Sequence, residues 1–187
     1  MKPEESLDII QNMIETSKKK ISDSSKHYLL WGWAVFLSAI AQYIMIKMHY
    51  PGSTLVWLSM PLTGIIAYLI GRAEHKKAKV ITFAGEAIKK LWLSMTIGFI
   101  LLAYYQVGGH GNSIPIFILL YGIGILTTGS ILSFKPLIAG GIACFIISFI
   151  GMQIGYSAYQ LLLLALAALV SYLIPGYLLR AESKKAS

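Results

Sequence analysis

Charge is what this sequence lacks. Only 13% of its 187 residues are Asp, Glu, Lys or Arg, about half the usual share for a water-soluble domain. The deficit is concentrated. No charged side chain falls in residues 28–46, 48–71, 91–134 or 136–179. A soluble protein of this size needs charge along its whole length to cover its surface, so that class is excluded. Ionisable groups within the bilayer are also missing, and those are the usual basis of proton relays, ion-coupled pumps and voltage sensors. The four histidines, His27, His49, His75 and His110, all fall at the edges of the apolar runs. An intramembrane serine hydrolase lacks its base on this count, and no H-E-x-x-H helix exists for a zinc protease. Gly-rich phosphate loops are missing too, since "YGIGILTTG" at 121–129 belongs to an apolar run. The single cysteine, Cys144, excludes an internal disulfide and a cysteine-rich metal site. We therefore expect no enzymatic activity, no catalytic residue, no metal and no cofactor.

The charge-free runs are themselves the main signal. A helix needs roughly 20 apolar residues to cross a hydrocarbon core of about 30 Å. The first two runs hold one such helix each and the last two hold two each. The expected fold is all-α, with six transmembrane helices over about 28–46, 54–71, 91–107, 114–133, 136–155 and 159–179. Short segments at 47–54, 108–113 and 155–159 link them into three hairpins. Residues 1–27 precede this domain of residues 28–180, and 181–187 form a tail. Trp31 and Trp33 suit an interface anchor of a retained first span.

Fifteen of the sixteen Lys and Arg lie in the N-terminal segment, the second and fourth connections and the tail; Lys47 alone lies on the other side. Basic residues resist translocation, so both termini are expected in the cytoplasm. The net charge of +8 reads as orientation and attraction to anionic headgroups, worth about 1 kcal/mol per basic residue, and not as nucleic-acid binding. Two near-identical tags, "RAEHKKA" at 72–78 and "RAESKKA" at 180–186, each close an apolar run. They lie 108 residues apart, and a shift by that distance superposes the first and third hairpins without a gap. This is the pattern of a repeated hairpin.

Before the first span, Leu7, Ile10, Ile14 and Ile21 share a helical face, with Glu4, Glu5 and Asp8 in the first turn and Lys18, Lys19 and Lys20 near the end. This amphipathic helix suits either the membrane surface or a protein partner. The segments "EESLDIIQNMI" at 4–14 and "HYLLWGWAVFLSAIAQY" at 27–43 resemble small multi-span proteins of bacterial inner membranes with no assigned function. The resemblance implies a bacterial inner-membrane location and carries no site residues.

Two functional expectations follow. The first is a noncatalytic membrane component that binds or regulates a membrane or cytoplasmic protein, or a second copy of itself. Its contacts with partner or lipid would be Lys18, Lys19, Lys20, Arg72, Lys76, Lys77 and Arg180. The second is a small-solute binding or transport subunit. Each odd-numbered span carries a glutamine toward its outer end, and Gln42, Tyr43, Tyr105, Gln106, Gln153 and Tyr156 would line an outward-facing site for a neutral polar ligand. Small residues at helical spacing, Gly124 with Thr128, Ala139 with Ala143, Gly140 with Cys144 and Gly151 with Gly155, suit close helix packing. Pro61 and Pro175, inside spans, should kink them.

Overall fold

The computed structural model describes residues 3–77, 83–108, 112–155 and 157–185, leaving aside the side chains of 3–24, 74–77, 83 and 182–185. Described residues are helical almost throughout, with no strand among them. The helices are α1 (Pro3–Lys47), α2 (Ser59–Lys77), α3 (Phe83–Val107), α4 (Ile114–Leu132), α5 (Lys135–Ile154), α6 (Tyr159–Ala168) and α7 (Ile174–Lys185). A 3-10 turn, Ser53–Leu58, precedes α2, and a π turn, Leu169–Leu173, joins α6 to α7. Six stretches are long and apolar enough to cross a membrane: Ser25–Lys47, Ser53–Ala73, Ala84–Val107, Ile114–Leu132, Lys135–Ile154 and Tyr159–Ala181. The protein is thus an all-helical chain with the makings of a multi-pass membrane protein.

Residues 3–27 and the first span form one uninterrupted helix. At about 1.5 Å per residue α1 is about 68 Å long, roughly twice the hydrocarbon thickness. Both tags continue their spans as helix, to Lys77 in α2 and to Lys185 in α7.

The closest packing is between α4 and α5. Ser133 takes the left-handed conformation (φ 53) and the Phe134 N–H returns to the Gly129 carbonyl at 2.9 Å, closing α4 in one tight turn. Pro136 then stands in the first turn of α5, where its missing N–H costs nothing. Along the pair, glycines let the backbones meet. A Cβ at Gly141 would stand 2.7 Å from the Leu126 backbone nitrogen, and one at Gly129 2.8 Å from that of Ile138. Among the spaced pairs read from the sequence, Gly140 and Gly151 face neighbouring helices in this way. Ala139 is exposed, and Gly155 faces open space with φ 70 as the residue that ends α5.

The first and last spans lie antiparallel. Tyr43 near the end of α1 meets Tyr159 at the start of α6, with ring centroids 6.2 Å apart. At the opposite end Trp33 Nε1 donates to the Tyr177 hydroxyl at 3.2 Å. Between them, α1 passes the π turn. A Cβ at Gly32 would stand 2.8 Å from Tyr172 Cβ, while one at Gly140 of α5 would stand 2.9 Å from Ser171 Cα. The wide π turn therefore fits between two glycines, two residues ahead of Pro175. The sequence expectation of a disturbance at Pro175 takes this form: proline supplies no N–H to the preceding turn, and the helix widens there.

Two core clusters result. One joins Val35 and Ala39 of α1, Ile118 of α4, Cys144 and Ile147 of α5 and Leu164, Ala165, Ala167 and Ala168 of α6. The other joins Tyr28, Ile125, Phe134, Leu137, Tyr172 and Leu179. The remaining two spans sit at the edges. Among the described elements, α2 packs only against α1 and its own 3-10 turn, and α3 lies along α4, with Trp92 reaching the ring of Tyr172 in the π turn. The connections at 48–58, 108–113 and 155–158 share one end, called here the loop end; the tags share the other, the basic end.

Candidate functional site

Polar side chains gather at the loop end, and each connection there is held by a glutamine amide. In the first, Trp57 Nε1 donates to Gln42 Oε1 at 2.6 Å, and the hydroxyls of Ser38 and Ser59 are 2.9 Å apart. In the second, Gln106 of α3 reaches the start of α4, where its Oε1 accepts the Ser113 N–H at 3.1 Å and the Ser113 hydroxyl as well. One N–H that α4 could not pair internally is satisfied in this way. In the third, Gln160 in the first turn of α6 reaches back to the end of α5. Its Nε2 donates to the Gly151 carbonyl at 2.9 Å and to the Gly155 carbonyl, again pairing groups that a helix end leaves over. Close by, the Ser148 hydroxyl of α5 donates to the Pro115 carbonyl of α4 at 2.7 Å.

Of the six residues expected to line an outward-facing site, the five that are described are not gathered into one recess. Gln42 and Gln106 both lie at the loop end, but α1 and α3 do not pack on one another, and each amide oxygen is engaged beside its own connection. Gln153 is exposed on α5 and Tyr105 is exposed on α3. Tyr43 is half-buried against Tyr159, and Lys47 Nζ lies 5.8 Å and 5.1 Å from these two ring centroids. That cation–π contact gives the one basic residue of the loop end a partner on both α1 and α6. Tyr156 lies outside the described residues.

Sequence reasoning missed Gln160. It looked for glutamines on odd-numbered spans, and Gln160 begins an even-numbered one. The signal available was an amide placed among leucines, "YQLLLL", at the mouth of an otherwise apolar helix.

Toward the basic end a second constellation surrounds Thr128. Its hydroxyl donates to the Gly124 carbonyl at 2.7 Å and accepts Trp92 Nε1 of α3 at 3.2 Å. Around it the rings of Tyr28, Trp92 and Tyr121 stand 6.0, 6.2 and 5.5 Å from that of Tyr172 in the π turn. These rings pack on one another, so the arrangement ties four elements together.

No protein-family model, curated protein or solved structure matches the chain. What the two constellations can do must therefore be read from their chemistry. Amides, hydroxyls and phenols exchange hydrogen bonds with neutral groups, and the charged residues of the spans, among them Glu86, Lys89 and Lys90 of α3, lie near their ends.

The residues expected to touch lipid or a partner are placed as follows. Arg72 and Arg180 are exposed at the basic ends of α2 and α7. Lys76 and Lys77 fall in the last turn of α2, and Lys18, Lys19 and Lys20 in the first half of α1; their side chains lie outside the described residues.

Proposed function

We propose that this chain is a noncatalytic integral membrane component that binds a protein partner through the helices leaving its basic end. The reading places it in a bacterial inner membrane, as three hairpins that enter and leave on the cytoplasmic side. The observation that carries it is the continuity of α1 from Pro3 to Lys47. A helix lying flat on the membrane requires a sharp bend where the span begins, and bends of that size break the helical ladder. The unbroken α1 instead extends the apolar face of Leu7, Ile10, Ile14 and Ile21 away from the bilayer, where a protein surface is the natural cover. Because α1 packs along α6, the π turn and α7, a load on residues 3–24 acts directly on the core of the bundle. Arg72, Lys76, Lys77 and Arg180 meanwhile hold α2 and α7 at anionic headgroups.

The test compares the intact chain with a variant lacking residues 1–24, both taken from native membranes into lipid discs. Removal of the segment should lower recovery of at least one companion protein by about tenfold, corresponding to about 1.4 kcal/mol, with unchanged unfolding of the six-span body. Equal companions from both forms would sink the reading. Reporters fused at 108–113 and at the C-terminus test the orientation separately, and an external signal from the C-terminal fusion would reverse it.

A further inference from the structure

The three glutamines at the loop end differ in what they leave over. Gln42 and Gln106 use their amide oxygens as acceptors. Gln160 is turned the other way, with Nε2 donating to two backbone carbonyls. The alternative amide orientation would set an oxygen against those two oxygens, so chemistry fixes which atom is which. Gln160 Oε1 is therefore an acceptor, it is buried with its residue 1% exposed, and no protein donor reaches it. Asn112 Oδ1 is a second buried acceptor without a donor. It lies three residues ahead of Pro115, the α4 residue packed on Gly151, whose carbonyl Gln160 holds. Among the described residues no buried side-chain donor is left unmatched.

The imbalance has one sign. Gln160 Oε1 at the meeting of α5 and α6, and Asn112 Oδ1 in the connection that leads into α4, both lack donors, and native structures rarely leave such groups unmatched. An anion would add acceptors to acceptors. A cation would enter with no Asp or Glu anywhere in residues 87–181 to balance it, and toward Lys47 at the same end. We propose that the α4–α5–α6 junction at the loop end binds a small uncharged hydrogen-bond donor on Gln160 Oε1, with Asn112 Oδ1 as the second acceptor. The ligand class is compact hydroxyl or N–H compounds, of which water is the smallest. Buried waters typically serve two to four such groups. The site is independent of the partner-binding reading, because it lies at the opposite end of the bundle.

Hydroxyl-radical footprinting of the intact protein in lipid discs, in oxygen-18 water, tests this directly. Radicals formed from a bound water mark the side chains beside it. Pro115 and Leu163, which line Gly151, should take up label several-fold above Ile118 and Leu164 of the core. Gln160→Leu should bring them down to the core level. Asn112→Leu, at a half-buried residue outside the helices, gives a second measurement should Gln160→Leu fail to fold, and should lower the label on Pro115. Added urea, a compact neutral N–H donor, divides the ligand class. Loss of label shows that the site admits organic donors, retained label assigns it to water alone, and either result upholds the site. Labelling of Pro115 and Leu163 no higher than that of Ile118 and Leu164 in the unaltered protein overturns it.

Discussion

Helices α5 and α3 are both charge-poor and of similar length, yet they lead different lives in the bundle. α5 is flanked by α4 on one side and by α6, the π turn and α7 on another, with glycines wherever a backbone comes close. α3 lies along α4, through Trp92, Phe99 and Gln106, which recur every seven residues along one stripe, and beyond α4 its Trp92 ring meets that of Tyr172 in the π turn. Within a bilayer, lipid is as apolar as leucine, so no hydrophobic force obliges a span to find protein neighbours. Steric fit and hydrogen bonds decide instead. α5 has the small residues for close fit. α3 holds to its neighbour by three hydrogen bonds made by two side chains, Trp92 and Gln106, and by a ring stack, with the Phe99 and Phe117 centroids 5.9 Å apart.

The sharpest way to break this contrast is to add the same side chain at a packed and at an open glycine. Gly141→Leu drives a side chain into the Leu126 backbone, which cannot swing aside as a side chain could. Overpacking typically costs about 1–3 kcal/mol and more where backbone must move, so we expect at least about 3 kcal/mol and poor recovery of folded protein. Gly64→Leu on α2 meets nothing within 4 Å, and should stay within about 0.5 kcal/mol of the parent. Unfolding of both variants in lipid discs checks the pair, and equal losses would mean that α2 is not a peripheral helix.

The spans were legible in the sequence because lipid imposes a simple demand: each charge-free run had to yield its apolar spans. Although the helix α1 itself begins far earlier, at Pro3, the ends of the spans fall within a few residues of those expected, except at α3. There Lys89 and Lys90 placed the expected start near 91, whereas the helix begins at Phe83 and carries both lysines exposed, Lys90 paired with Glu86 at 3.0 Å. Which spans touch was not legible. Small residues announce that some close approach exists, but Gly140 alone does not say that its partner is Ser171, 31 positions on. The glutamines show the same limit. Their presence near the loop end could be read off, but whether an amide faces a shared recess or its own connection depends on helix rotation, which periodicity fixes poorly in a span apolar on all sides.

Hydrogen bonds should give the middle range of effects. Thr128→Val keeps the shape and removes the hydroxyl that Trp92 and Gly124 share. Polar contacts between membrane helices average about 0.6 kcal/mol and reach about 1.7. This one is buried and joins α3 to α4, so a loss toward the upper figure is expected, with altered Trp92 fluorescence as the specific sign. At the loop end, Gln42→Leu and Trp57→Phe should each cost nearer about 0.6 kcal/mol. In a double-mutant cycle the second change should add little to the first, since both remove one bond. Full additivity would show that the bond carries nothing.

The smallest effect belongs to the outward side of α3, where Leu93, Ile97, Ile100 and Leu101 are all more than half exposed. Ile100→Ala removes three carbons from a surface that meets lipid both before and after the helices associate. The transfer cost that penalises such a truncation in a soluble core is therefore absent, and a change within about 0.5 kcal/mol is expected. The same substitution at Ile118, a fully buried position of the first core cluster, loses packing that lipid does not replace and should cost about 2 kcal/mol or more. A measured loss at Ile100 approaching that at Ile118 would mean that α3 is covered by protein in the membrane. Its sparse contacts would then mark half of an interface rather than the edge of the molecule.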